Sequence, residues 1–462
     1  MRELLKETMD FLKKKGAEYA DARHVRGLTE VLVMKNGTLE TASVAESEGV
    51  GIRVLNDGAW GFSSSSILTP ESVRSVAEEA LAIAKASAKV GDATIVLDGQ
   101  DVVVDTYRSE MEEDPFEVPL DEKLAILSTC CDGMKKTEAV AIATASMMNF
   151  RTEKLFVNSE GSEIEQVITE AGGGISATAI EGDERQTRSY PASFRGDYAT
   201  RGFEFTRSLD LPAHAVRTGS EAAELLKADE CPHKKTTIII GGQQLALQVH
   251  ESCGHPIELD RVFGTEASYA GTSFITVDKL GSLQYGSKLV NIVADATAPG
   301  GLGSFGYDDE GVPAQRSDIV KDGVFVGYLM SRETAPRIGL RSNGTMRADG
   351  WNRIPLIRMT NINLLPGEGS LDDLIADTDD GIFIDSNKSW SIDQRRLNFQ
   401  FGCEIAYEIK NGKLGRMLKN PVYTGITPEF WGSCDAITGM EEWHIWGIPS
   451  CGKGEPGQVA HV

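Results

Sequence analysis

The chain has 462 residues, of which 41% are apolar and 25% charged, a composition typical of a globular protein rather than a disordered one. Its 69 acidic and 46 basic side chains give a formal net charge of -23, which repels nucleic acid and anionic membranes and disfavours direct DNA binding. At this length we expect two or three domains.

The first predicted element is an amphipathic helix, in which Leu4, Leu5, Met9 and Leu12 share one face before a stop at Gly16. It lacks the continuous apolar segment of a signal peptide, and no run of about 18 apolar residues follows, so no membrane span is expected. The seven cysteines are odd in number and scattered, which suggests no disulfide framework. We therefore expect a cytoplasmic protein.

Short β-rich runs come next and are predicted to form hairpins, because Asn36-Gly37 and Asn56-Asp57-Gly58 are turn sequences. A helix is predicted to start at Thr69-Pro70, with Thr69 as N-cap and Pro70 as first helical residue. Another helix is expected at about 120–136. Residues 137–206 alternate as strands do.

The second half of the chain has a different pattern. A helix is expected at 220–230, and from about 235 onward short strands and Gly-rich turns dominate, with helical periodicity only around 243–255. This asymmetry predicts an α+β fold. Residues 1–230 would form an N-terminal α/β domain of hairpins and helices. Residues 231–462 would form a mostly antiparallel β domain that carries one metal-binding helix.

That helix contains the motif His250-Glu251-x-x-x-His255. Zinc-binding histidines usually lie at i and i+4, about 40° apart around a helix, whereas i and i+5 lie about 140° apart. A π-type turn, whose hydrogen bonds run from i to i+5, brings the two imidazoles back to one face. Gly254 eases this distortion, and Pro256 has no amide hydrogen to lose. The sequence therefore predicts a π-type turn between the two histidines.

Two histidines leave a catalytic zinc one protein ligand short. The candidates for the third ligand are Cys253, Glu258, Asp260, His233 and Cys451. Cys253 lies three residues after His250 and can face the same side, so spacing alone does not separate it from the distant Cys451.

The C-terminal segment around Cys451-Gly452-Lys453, together with the HExxxH helix, resembles the TldD branch of the TldD/PmbA family, also called the modulator of DNA gyrase family. Residues 157–161, 306–315 and 358–361 extend the resemblance over essentially the whole chain. PmbA-like relatives lack the HExxxH motif and match less well. The family usually has Ala-Val where this chain has Ser252-Cys253, and this departure keeps Cys253 as a lesser candidate.

The resemblance implies that His250, His255 and Cys451 bind Zn²⁺ and that Glu251 is the general base. Such a ligand set leaves a fourth position open for water, whose pKa falls to about 7 when it is bound to zinc. Glu251 can then take the proton of the water and deliver it to the leaving amine.

We therefore expect a zinc-dependent metallopeptidase that hydrolyses peptide bonds of unfolded or extended polypeptides. The resemblance implies an active site inside a dimer that admits the peptide as an added β-strand, and the partner is either a second copy or a PmbA-like subunit. No direct nucleic acid partner and no membrane are expected. The alternative is a non-catalytic peptide-binding or assembly protein with a structural zinc.

Three further features have a structural interpretation. The acidic run 308–310 is expected to be a solvated turn, and the aromatic run 443–446 is expected to pack in a core. Ion pairing is favoured over peptide binding for three arginines, namely Arg347, Arg353 and Arg358.

Overall fold

The computed structural model describes residues 1–91, 94–454 and 457–462. No helix among these residues is both long and apolar enough to cross a lipid bilayer. The elements of the N-terminal half are, in chain order, α1 Arg2–Lys14, β1 Tyr19–Lys35, β2 Thr38–Asn56, β3 Ala59–Ser65, α2 Pro70–Ser87, β4 Val104–Arg108, α3 Leu120–Lys135, β5 Val140–Asn158, β6 Glu163–Glu181, β7 Glu184–Tyr190, β8 Asp197–Ala199, α4 Phe203–Ser208 and α5 Leu211–Lys227.

One sheet organises this half, in the order β3-β2-β1-β5-β6-β4, with β7 and β8 also paired to β6. Its four long strands, β2, β1, β5 and β6, are antiparallel. One apolar cluster packs α1 and α2 against the ends of β1 and β2 near Ala20 and Ile52. A second packs α3 and α5 against the region around Met34, Ala145 and Ile175. The sheet therefore carries two helical layers at different places along its strands.

Local sequence signals account for most of these helices. Thr69 caps α2, because its side chain accepts a hydrogen bond from the Ser72 amide at 3.2 Å, and Pro70 opens the helix as predicted. The predicted start of the helix at 220–230 is wrong, because α5 begins at Leu211 and ends at Lys227. Its first turn contains Pro212, a start signal that an apolar pattern alone does not reveal.

The C-terminal half contains β9 Asp229–Glu230, β10 Thr237–Ile240, α6 Gly242–Val249, a π-helix His250–Gly254, α7 Leu259–Val262, a 3₁₀ helix Val277–Lys279, β11 Ile292–Asp295, β12 Arg316–Lys321, β13 Val324–Phe325, a 3₁₀ helix Ala335–Ile338, β14 Met346–Arg347, β15 Leu356–Ile357, β16 Asn361–Leu364, α8 Leu371–Ala376, β17 Asp380–Ile392, β18 Asn398–Lys410, β19 Lys413–Lys419, β20 Val422–Ile426, α9 Thr427–Gly432, a 3₁₀ helix Met440–Glu442, β21 Cys451–Lys453 and β22 Gln458–Ala460.

Most of these strands form one sheet in the order β10-β17-β18-β19-β9, with β20 also paired to β18, and a second in the order β13-β12-β11-β16. The other four form two separate pairs, β14-β15 and β21-β22. Most pairings are antiparallel, although β10 and β9 join the first sheet in parallel. The predicted α+β class with a mainly antiparallel second half is confirmed. The short helices α7, α8 and α9 were not predicted. The boundary between 230 and 231 stays a prediction.

The acidic run 308–310 joins the two halves, and its prediction as a solvated turn is wrong. All three carboxylates are at most 2% exposed. Arg53 on β2 donates to Asp21 at 2.6 Å and to Glu310 at 3.3 Å, and Asp309 pairs with Lys154 on β5. The compensating cations come from strands more than 150 residues earlier in the chain, so local sequence gives no sign of them.

We predict that Arg53→Met destabilises the protein strongly. It would leave Asp21 and Glu310 buried without their cation, which typically costs about 3–5 kcal/mol in the free energy of unfolding. Arg26→Met is the matched control on the neighbouring strand, because its partner Glu46 and Arg26 itself are both about half exposed. Chemical denaturation should show a large fall for the first variant and almost none for the second. Equal effects would contradict the structural role of the buried pair.

Candidate metal centre

Helix α6 widens into a π-helix at the HExxxH motif. The His255 amide donates to the His250 carbonyl at 3.1 Å, which is the predicted i to i+5 hydrogen bond. The two imidazole rings consequently meet, with centroids 4.9 Å apart and planes at 88°. Gly254 also leaves room for a neighbouring side chain, since a Cβ there would lie 2.0 Å from the sulfur of Met359.

Ser252 and Cys253 face the core behind this turn. The Ser252 hydroxyl accepts from the Trp431 indole at 2.9 Å, and the Tyr285 hydroxyl donates to the Ser252 carbonyl at 2.9 Å. Cys253 is fully buried in the main apolar cluster of the C-terminal half. Burial raises the pKa of its thiol to about 12, so the neutral form is favoured.

Cys451 approaches the histidines from the C-terminal strand β21. Its sulfur lies 3.4 Å from Nε2 of His250 and 3.8 Å from Nε2 of His255. In the described part of the chain this is the one group of three metal-ligating side chains whose ligand atoms all lie within 4.8 Å of one another. A tetrahedral zinc with ordinary Zn–S and Zn–N bonds needs a sulfur–nitrogen separation of about 3.5 Å, so the three residues fit this ion.

The protonation states also suit a metal. Burial alone would raise the pKa of the Cys451 thiol, but His255 and Arg358 outweigh it and hold that pKa below its ordinary value. Burial lowers the pKa of His250, which favours the neutral imidazole. A thiolate and neutral imidazoles are the forms in which these side chains bind metal ions.

Glu258 and Lys453 form a second layer around this group. Glu258 Oε2 lies 3.1 Å from Nδ1 of His255 and so leaves Nε2 of that ring facing Cys451. Burial opposes ionisation of Glu258, but Lys453 and His255 outweigh it and lower its pKa below the ordinary range. Lys453, also fully buried, lies 3.4 Å from Glu258 and donates to Asp260 at 2.8 Å. Glu258 and Asp260, which the sequence offered as candidate third ligands, thus contact Lys453. His233, another candidate, is exposed.

Glu251 lies beside the three side chains and is 6% exposed. Its Oε2 accepts from Nη1 of Arg396 at 2.5 Å. Burial opposes ionisation, yet the nearby His255, His250 and Arg396 lower the pKa of Glu251, so the carboxylate is favoured.

A groove of about 1470 Å³ leads to His250. All four residues of β10 and all four of β16 line it. Within the described residues each of these strands pairs on one side only, since β10 pairs with β17 and β16 pairs with β11. The aromatic run 443–446 also lines it, with Trp443 and Trp446 only half-buried, so its prediction as core packing is wrong.

The sequence did not predict the roles of several residues at this centre. Arg358 donates to the Cys451 carbonyl at 2.5 Å and Arg347 to the His461 carbonyl at 2.8 Å, so they fix the tail. Among the described residues neither these two nor Arg353 makes an ion pair. The predicted ion pairing of the three arginines is therefore wrong. Strand alternation could have revealed Lys453, because residues i and i+2 of a strand share a face. No local signal reveals Arg396.

Comparison with known proteins agrees with this geometry. Sequence models of the PmbA/TldA metallopeptidase domain 1, central domain and C-terminal domain match residues 20–84, 113–229 and 233–455. A metalloprotease of Methanocaldococcus jannaschii is 31% identical over 91% of this chain and 90% of its own. The chain belongs to the PmbA/TldD metallopeptidase family. It is a metallopeptidase.

More distant PmbA/TldD relatives agree with this assignment. A protein of Saccharolobus solfataricus, named a zinc metalloprotease TldD homolog, is 24% identical over 89% of this chain and 87% of its own. A solved structure from Thermotoga maritima, described as a candidate modulator of a DNA gyrase, superposes with a TM-score of 0.76 at 22% identity over 94% of both chains. This structural likeness establishes the fold.

We predict that Glu258→Gln weakens metal binding about 10- to 100-fold, because the His255 imidazole loses the carboxylate that orients it. The matched control is Glu266→Gln, since Glu266 is also buried and accepts from the Gly454 amide at 3.3 Å but does not contact a histidine. Competition with a chromogenic chelator would measure both affinities. A loss of equal size in the two variants would show that tail packing, not orientation of His255, controls the affinity.

Proposed function

We propose that this metallopeptidase is zinc-dependent and cleaves unfolded or extended polypeptides, with His250, His255 and Cys451 as the metal ligands and Glu251 as the general base. The observation that carries the proposal is the convergence of two imidazoles and one thiol at tetrahedral separations beside a buried carboxylate. The name of the Saccharolobus solfataricus relative supports zinc over other divalent ions.

The roles of the side chains follow from their positions. When bound, the zinc ion activates a water molecule and polarises the peptide carbonyl. Glu251 accepts a proton from the attacking water, whose oxygen adds to the carbonyl carbon. The same carboxyl group then donates the proton to the amine as the carbon–nitrogen bond breaks. Glu258 and Lys453 keep His255 and the tail in place during these steps.

The groove supports an extended polypeptide as substrate. Strands β10 and β16 each offer a free edge, to which a peptide can add as a further strand through main-chain hydrogen bonds. Such bonds depend little on side-chain identity, whereas most main-chain groups of a folded domain are already hydrogen-bonded within that domain. The dimer, whether with a second copy or a PmbA-like subunit, stays a prediction from the resemblance, and the cytoplasmic location stays a prediction from the cysteine pattern.

We predict one zinc per subunit that is lost in Cys451→Ser and largely retained in Cys253→Ser. Both substitutions exchange sulfur for oxygen, but only the sulfur of Cys451 is close to the histidines. Metal analysis of the two purified proteins tests this expectation. The reverse result would move the third ligand to Cys253.

We predict that Glu251→Gln abolishes cleavage but not zinc binding. Glutamine keeps the size of the side chain and removes the group that accepts the proton, so the rate for an unstructured peptide should fall by roughly 10²- to 10⁴-fold. His250→Ala should lose metal and activity together, because two protein ligands hold zinc poorly. Full activity in Glu251→Gln, with contaminating protease excluded, would refute this mechanism. Normal peptide binding without cleavage would argue against a purely structural zinc.

A further inference from the structure

The hairpin between β17 and β18 ends in a turn that is tightly fixed. Oδ1 of Asp393 accepts from the amides of Arg395 at 2.9 Å and of Leu397 at 3.0 Å, and Oδ2 accepts from the amide of Asn398 at 3.0 Å. The Thr427 hydroxyl donates to the Arg396 carbonyl at 3.0 Å. The backbone of Arg396 therefore has little freedom to move.

Arg396 has an unusual conformation for its residue type. Its φ is +63°, in the left-handed region that glycine, asparagine and aspartate tolerate best. Six of the nine non-glycine residues with positive φ in the described parts of the chain are Asn or Asp. An arginine at such a position has an unfavourable backbone conformation, and a role for its side chain would account for this cost.

The side chain of Arg396 reaches the centre of the candidate site. It is 14% exposed, and its Nη1 lies 2.5 Å from Oε2 of Glu251. Oε1 of Glu251 makes no hydrogen bond to any described residue, so one oxygen of the carboxylate is fixed and the other is available. Arg396 is 145 residues away from Glu251 in sequence, which makes the contact a tertiary one.

We propose that Arg396 is a positioning residue that holds the carboxylate of Glu251 with Oε1 directed at the reacting water. A glutamate side chain has three rotatable bonds, and a charge-assisted hydrogen bond from a rigid turn removes much of that freedom. This inference rests on the proposed role of Glu251 as the general base. It adds that the full activity of the base depends on the guanidinium group at the tip of the hairpin.

The test compares Arg396→Gly with Arg395→Gly. Glycine tolerates the positive φ at 396, so the turn is kept while the guanidinium group is lost. Arg395 is the matched control, because it lies in the same turn and its exposed side chain makes no ion pair among the described residues. Zinc content and thermal stability are measured for both variants, together with kcat and KM for an unstructured peptide.

Arg396→Gly should keep its zinc and its KM and lose kcat on the order of 10²-fold, the effect of a misplaced catalytic group. Arg395→Gly should behave as wild type. Millimolar guanidinium ion should restore part of the kcat of Arg396→Gly and none of that of Glu251→Gln. In a crystal structure of zinc-loaded Arg396→Gly, the Glu251 carboxylate should leave its position while the three metal ligands stay.

Wild-type kcat in Arg396→Gly, or an unmoved Glu251 carboxylate, would overturn the inference, and so would loss of zinc from this variant. If Glu251→Gln is inactive while Arg396→Gly is fully active, only the role of Arg396 fails. If Glu251→Gln itself is fully active, the proposed mechanism fails first.

Discussion

Two imidazoles five residues apart meet because the helix between them is widened by one residue. The His255 amide reaches the His250 carbonyl in place of the usual i to i+4 partner, and this one hydrogen bond determines where both rings point. The widened turn is supported from behind by Trp431 and Tyr285 at Ser252, and from the side by Met359 at Gly254. A regular helix here would direct the rings about 140° apart and leave no common site.

Because the two imidazole rings are fixed in this way, the C-terminal segment must also be held in one position. Cys451 lies 201 residues after His250, so its sulfur arrives only when the β-rich half has folded around the helix. Short local contacts cannot hold a segment of three residues with such accuracy. Buried polar groups do so instead, because Arg358 holds the carbonyl of Cys451 and Lys453 is enclosed with Glu258 and Asp260.

The features that could be predicted from the sequence are those that depend on residues close together in the chain. The N-cap at Thr69, the turn sequences, the widened helix and the change from α/β to β pattern are all local signals, and the structure bears them out. The choice of Cys451 as third ligand needed a family resemblance, because spacing left Cys253 equal to it, and it stays a proposal. The burial of 308–310 and the contact of Arg396 with Glu251 depend on residues far away in sequence. Periodicity carries no information about such pairs.

The arrangement of the tail links metal binding to the integrity of the fold. Cys451 and Lys453 lie on one face of the same short strand, so displacement of this strand removes a candidate ligand and a buried cation together. Glu258 and Asp260 would then be buried without their main compensating charge, which is strongly unfavourable. A metal ion that binds only the assembled state stabilises that state by mass action. The site therefore has little tendency to exist half-formed, with the histidines in place and the thiol absent.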